Sequence, residues 1–190
     1  MLHMPGAIDL DALWREHRRF VAAVLIAHRP LGAAVPELED LLQDVAMKVV
    51  AHANELRDRS RARAWLRSIA VNVATSAGRK SAVRRRTFAN DAPDEHGIVD
   101  PRIAQEAHSS DARDSAGHVL ALARALPVEY REPLLLKSLE GMSQRAIADA
   151  LDLPETTIET RLTRARAMLR AEIEKAEIVI PVRLAERSRP

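Results

Sequence analysis

The stretch Ser143 to Arg166, SQRAIADALDLPETTIETRLTRAR, decides how the rest of the chain is read. Two helical patterns meet at Asp152-Leu153-Pro154, a connector that neither pattern can cross. Ser143 is placed to cap the first helix, and Ala148 offers a small residue where a second helix can cross closely. Ile147, Leu151, Leu153, Ile158 and Leu162 then form one apolar seam shared by both helices. The outward side chains at the start of the second helix are left for another task. A helix-turn-helix of this kind lays its second helix in the major groove of DNA. Thr156, Thr157, Thr160, Arg161 and Arg164 are the candidate readers, because Arg bonds guanine bidentately and Thr offers a hydroxyl and a methyl group. An ordinary helical hairpin in a bundle carries the same seam, so this window by itself leaves both readings open.

Working outward, the remaining patterns are also helical. Leu10, Leu13, Phe20, Val24 and Leu25 predict a helix over Ile8 to His28, with Asp9 or Asp11 at its start, before Pro30, Gly32 and Pro36 break the pattern. PELEDLLQDVAMKVVAHANEL follows, striped by Leu38, Leu41, Leu42, Val45, Val49 and Leu56, with Glu37, Glu39 and Asp40 where the helix dipole favours acids. A polar connector, Arg57 to Arg61, leads to RARAWLRSIAVNVATSAGRK, with Trp65, Leu66, Ile69, Val73 and Ala77 on one face. Thr87 to Gly117 has no sustained apolar periodicity and holds Pro93, Gly97, Pro101 and several Ser. That composition predicts a flexible linker, with a short helix around Ile103 to His108 as the alternative. VLALARAL and VEYREPLLLKSLEG then read as two helices, the second closed by Gly141. Pro133 is tolerable there only in the first turns. After the hairpin's long second helix, the tail beyond Ala176 is broken by Pro181 and has no assignment.

The composition supports an all-α chain. Of 190 residues only 3% are aromatic, glycines number 6 and there is no Cys. Sandwiches and barrels need more aromatic strands and glycine turns, and disulfide or thiolate-metal sites are excluded. No apolar run approaches the roughly 18 residues of a membrane span. The start, MLHMPGAIDLDALW, is not that of a secretory signal, so the expected compartment is the cytoplasm with no membrane insertion. No phosphate loop, nucleophile elbow or paired-histidine zinc motif occurs, so neither an enzyme, a cofactor nor a metal site is expected. The net charge of +2 hides a segregated pattern. Arg57 to Arg86 holds ten Lys or Arg against Asp58 alone, Thr87 to His118 holds seven acids against two Arg, and Arg161 to Lys175 holds five bases against two acids. Two basic blocks suit an anionic polymer, although a solvated helix surface has the same look.

At this point two stretches together resemble the bacterial RNA polymerase sigma factors of the extracytoplasmic-function (ECF) type. ALPVEYREPLLLKSLEGMSQRAIADALDLPETTIETRLTRARAMLR (125 to 170) is similar to that family's C-terminal region. EDLLQDVAMKVV (39 to 50) and ARAWLRSIAVNVATSAGRKSAVRRR (62 to 86) are similar to its N-terminal region. The resemblance implies an alternative sigma factor built from two small helical domains. These would be a region 2-like domain over 8–86, a flexible acidic linker over 87–117 and a region 4-like domain over 118–175, with a tail over 176–190. It implies core RNA polymerase and promoter DNA as partners, and an anti-sigma protein as a regulator. Asp40, Leu41, Gln43, Asp44 and Lys48 match the helix that grips the polymerase. Trp65, Arg67, Asn72, Arg79 and Lys80 match the part that engages the −10 element. Thr157, Thr160, Arg161, Arg164 and Arg166 match the helix that reads the −35 element, alongside Thr156.

Each residue also has a plainer reading. The acids of 37 to 44 suit a helix start, Trp65 suits a core position, and Asn72 suits a solvated or capping amide. The chain departs from the family pattern at Ala46 and Val50, where aromatics are common, at Ser76, near a usual Asp, and at Asp152 and Thr156, in place of frequent glycines. Glu159 stands where a base is frequent and sets a carboxylate against phosphates. The competing reading is an autonomous helix-turn-helix regulator with an N-terminal dimerisation module. A third is a sigma mimic that captures an anti-sigma protein and needs no DNA face.

Overall fold

The computed structural model describes residues 9–29, 36–88 and 112–176. The alternative linker helix at 103 to 108, most of the linker and nearly all of the tail lie outside these residues. Among the described residues the regular elements are helices: α1 (Leu10–His28), α2 (Leu38–Ala51), α3 (Ala62–Phe88), α4 (Ala112–Ala125), α5 (Val128–Glu140), α6 (Gln144–Leu151) and α7 (Glu155–Lys175), with 3-10 turns at Ala53–Glu55 and Arg59–Arg61.

The helix ends follow from local chemistry. The Asp9 side chain accepts from Ala12 N at 2.9 Å and starts α1. Ser143 Oγ accepts from Ala146 N at 3.1 Å and starts α6. Helix α5 stops at Gly141, whose φ of 65° only glycine adopts without strain, and the N–H groups of Gly141 and Met142 both return to Leu136 O. Helix α6 stops at Asp152 in the same left-handed region, φ 54°. Asp is one of the few other residues that tolerates this conformation, which explains how the chain manages without the family's frequent glycine. Pro133 falls in the second turn of α5 and is fully buried, so the helix runs through it.

Three helix ends depart from the sequence pattern, the first being α2, which stops at Ala51, five residues short of the expected Leu56, and is followed by a 3-10 turn. Helix α3 runs eight residues past Lys80 to Phe88, and α4 begins at Ala112 instead of His118. Both extensions are rich in Ala and Arg, which hold a helix by propensity after the apolar stripe has ended.

Helix α1 is the centre of the molecule, packing against α2, α3 and α5. Phe20, Val21, Val24 and Leu25 meet Leu41, Leu42 and Val45 of α2 and Leu66, Ile69 and Val73 of α3. The same cluster continues without a break into Leu136 of α5, Ile147 and Leu151 of α6, and Ile158 and Leu162 of α7. A second cluster seats Ala27 of α1 among Ala123, Leu126, Leu134, Leu135 and Ala165. The N-terminal and C-terminal helix groups expected from the sequence are both present, and they share one core.

Candidate nucleic-acid and polymerase interfaces

Helix α7 turns one face outward because its opposite side is anchored. Ile158, Leu162 and Ala165 are buried with Ile147 and Leu151 of α6, and Leu153 is partly buried against them, as the shared seam predicts. At 100° per residue, Thr156, Thr157, Thr160, Arg161 and Arg164 fall within one arc of about 140° facing away from that seam. Thr156, Thr160 and Arg164 are exposed, while Thr157 and Arg161 are half-buried. The Thr160 hydroxyl donates to Thr156 O at 2.9 Å, which leaves its methyl group as the outward feature. Arg166 is exposed but stands about 160° around the helix from Arg164. Glu159 is exposed on the same flank, about 10.5 Å along the helix from Arg166, and lies one turn from Thr156, about 60° outside the arc.

Helix α2 turns Asp40, Gln43, Asp44 and Lys48 outward, all exposed. Leu41 is only 1% exposed and holds the helix from inside. The sequence pattern did not single out Met47, and it noted Val50 only as a departure from the family pattern; they are 57% and 66% exposed on this same helix. Two large apolar side chains are thus left in water beside a charged row. The usable signal is that both fall off the 3.6-residue stripe of Leu41, Leu42, Val45 and Val49. A shallow groove between α1 and α2 is lined by Trp14, Arg18, Glu39, Gln43 and Ala46. The Arg18–Glu39 ion pair crosses it at 2.7 Å, with both groups well exposed and hence weakly coupled.

Of the α3 residues, Trp65, Asn72, Arg79 and Lys80 fall within one arc of about 100°, spread over about four turns, and Arg67 points to another side. Asn72, Arg79 and Lys80 are exposed. Trp65 is half-buried and packs against Leu13, Leu56 and Ala62, the core role its spacing allowed. Arg67 is held. Its Nε and Nη2 donate to Oε1 and Oε2 of Glu132 on α5, each at 2.7 Å, in a bidentate fork. His28 Nε2, at the end of α1, stands 3.1 Å from Glu132 Oε2. Glu132 is one of three buried polar residues among those described, the others being His17 and Ser81. Burial pushes its carboxyl up, but the contacts with His28 and Arg67 outweigh that and hold it below the ordinary carboxylate value. The same fork raises the Arg67 guanidinium.

A group whose pKa is depressed by folding stabilises the fold above its unfolded value, and that contribution disappears as pH falls through the folded value. The difference in unfolding free energy between the natural chain and Glu132→Gln is therefore expected to be constant near neutrality. It should shrink from about pH 4.3, the unperturbed glutamate value, downward. Denaturant titrations at stepped pH check this, and a difference unchanged down to pH 3 would contradict the geometry.

The fold and these faces define a class: a helical protein with a helix-turn-helix at one end and a helix with a charged, partly apolar exposed face at the other. Comparison with known proteins narrows it. Residues 13–85 match the Sigma-70 region 2 family and residues 118–169 match Sigma-70, region 4. The chain is 31% identical over 144 residues to an ECF RNA polymerase sigma factor, SigC, of Mycobacterium tuberculosis, spanning 76% of this chain and 74% of that one. It is 26% identical to the ECF sigma factor SigX of Bacillus subtilis, spanning 73% and 71%. Its fold is shared with the sigma factor RpoE of Bartonella quintana, solved in complex with the anti-sigma factor NepR (TM-score 0.53, 23% identity, 87% of this chain and 91% of that one). It is also shared with CnrH, solved in complex with the cytosolic domain of CnrY (TM-score 0.54, 21% identity, 87% and 88%). The chain belongs to the sigma-70 family and is an alternative sigma factor of the ECF type, directing transcription initiation. No helix among the described residues is long and apolar enough to cross a membrane.

Proposed function

We propose that this sigma factor divides promoter recognition between its two helix groups, with 8–86 serving the polymerase and the −10 element and 118–175 serving the −35 element. Helix α2 docks on core RNA polymerase through Asp40, Gln43, Asp44 and Lys48, with Met47 and Val50 adding apolar contact and Leu41 fixing the helix from behind. Trp65, Asn72, Arg79 and Lys80, with Arg67 once released, engage the −10 element. Bases drawn out of the duplex there are held against protein at a cost of a few kcal/mol each, which polymerase contacts offset. Helix α7 reads the −35 element with Thr156, Thr157, Thr160, Arg161 and Arg164, and Arg166 adds a phosphate contact from the flank. Linking two weak readers through one enzyme raises the effective concentration of the second. The protein acts in the cytoplasm as an initiation factor without catalysis of its own, and an anti-sigma protein is its regulator.

The observation that carries this reading is the single arc of Thr and Arg side chains on α7, held outward by a fully buried seam. In vitro transcription with core polymerase over a randomised promoter library tests it. Transcripts are expected from templates sharing two spaced motifs. Tight binding of the free chain to a palindrome as a dimer, with no transcripts, would instead identify an autonomous regulator.

A further inference from the structure

We propose that Arg29, Arg124 and Arg131 form a binding site for a doubly charged phosphate group where α1, α4 and α5 meet. None of the three belongs to the faces assigned to polymerase or promoter, so the site does not depend on that assignment.

The fold gathers these side chains from three helix ends. Arg29 closes α1, its N–H returning to Leu25 O at 2.7 Å. Arg124 lies in the last turn of α4, and Arg131 lies near the start of α5. The ends converge because Ala27, Ala123, Leu126 and Leu134 share the second apolar cluster. Each arginine is half-buried. The Nε of each is shielded from water and has no hydrogen-bond partner among the described residues. Buried donors in folded chains are nearly all paired, so three orphans in one place call for an acceptor.

Their charge is equally unmatched. Arg131 Nη1 donates to Arg124 O, one of the last carbonyls of α4, which holds the two residues together without supplying a counter-charge. Glu132, next to Arg131 in sequence, is already engaged by the Arg67 fork and by His28. Burial pulls the Arg124 guanidinium down, and the charges of Arg29 and Arg131 pull it further. Burial also lowers Arg131, with Glu132 opposing in part. A guanidinium keeps its proton even so, and the repulsion must be met by an anion. The C-termini of α1 and α4 each bring about half a negative charge toward Arg29 and Arg124. Three positive charges less about one leave roughly two. A phosphate group above its second pKa, about 6, carries nearly two negative charges, and its oxygens match planar guanidinium forks. A carboxylate or a DNA phosphodiester carries only one.

Calorimetric titration of the full-length chain with inorganic phosphate, at about pH 8 and matched ionic strength, is expected to show one saturable site per chain. Arg124→Gln should weaken it at least tenfold, the scale of one charged hydrogen bond. Without phosphate, Arg124→Gln should melt no lower than the natural chain, because it removes an unpaired buried charge. With phosphate the order should reverse. Arg29→Glu supplies the negative charge internally; it should melt higher without phosphate and lose the response to it, which keeps the test sharp should Arg124→Gln fold poorly. Glycerol phosphate binding more tightly than inorganic phosphate would identify a phosphorylated small molecule as the occupant, and equal or weaker binding the free ion; either supports the site. Arg161→Ala with Arg164→Ala should leave phosphate binding unchanged. Loss of binding in that pair, or full retention in Arg124→Gln, places the anion on α7 and overturns the proposal. So does the absence of saturable binding by either probe, including the case in which Arg124→Gln weakens affinity for plain duplex DNA instead.

Discussion

Replacing Arg161 and Arg164 together by Ala is expected to abolish −35-dependent transcription while leaving polymerase binding intact. Both side chains lie in the outward arc of α7, on the side away from Ile158 and Leu162. A bidentate Arg–guanine pair discriminates by about 1–3 kcal/mol, so losing two removes about 2–6 kcal/mol. At 1.4 kcal/mol per decade that is a loss of roughly thirtyfold to more than ten-thousandfold. The double variant should also lose its preference among −35 sequences, because the contacts removed are those to base edges. Arg166→Ala provides the contrast, since that residue is exposed on a different side of the same helix. It should weaken all promoters about equally and reduce the salt dependence of DNA binding by about one phosphate contact. Run-off transcription at a mapped promoter and at −35 variants measures both. Unaltered promoter activity in the double variant would favour the sigma-mimic reading, in which no DNA face is needed. Arg161 is half-buried, so a thermal melt of the double variant belongs beside the activity measurement.

The outward arc of α7 was legible in the sequence because local patterns determine it. Ser143, the Asp152–Pro154 connector and the apolar positions 147, 151, 158 and 162 lie within one window, and a 3.6-residue period converts them directly into faces. The outward face of α2 was legible for the same reason, apart from Met47 and Val50, which a stripe-based reading passes over as stray apolar residues. What the sequence pattern did not reveal is the partner of Arg67. Glu132 is 65 positions away and on the other helix group, and no periodicity links them. A local signal was nonetheless present. Glu132 to Leu136 are five consecutive buried residues, and five successive positions go fully around a helix. A helix that is apolar on every side is covered on every side. The run REPLLL thus called for a neighbour beyond α4, α6 and α7, and α1 supplies it. A carboxylate inside such a run must meet a cation there. The linker acids and the tail fall outside the described residues, so their part in this account rests on composition alone.

That shared core sets up a second large effect. Leu136→Ala is expected to destabilise both helix groups at once. Leu136 is fully buried and belongs to the cluster that also holds Phe20, Val24, Leu41 and Leu66. Truncating a buried Leu costs about 2–5 kcal/mol, depending on how well the site collapses. For a chain of this size about 1 kcal/mol shifts the melting temperature by 2–4 °C, so the shift should fall between about 4 and 20 °C. Leu139→Ala, on the same helix but 37% exposed, should cost about 1 kcal/mol or less. The reporters make the test decisive. Both tryptophans, Trp14 and Trp65, lie in the N-terminal helices and pack on the core there, whereas the substitution is in α5. If α1 and α5 form one cooperative unit, tryptophan fluorescence and far-ultraviolet helicity must melt together, and Leu136→Ala must move both by the same amount. A fluorescence transition that stays in place while part of the helicity melts early would mean that the two groups unfold independently. The continuous packing between them would then contribute nothing measurable to stability.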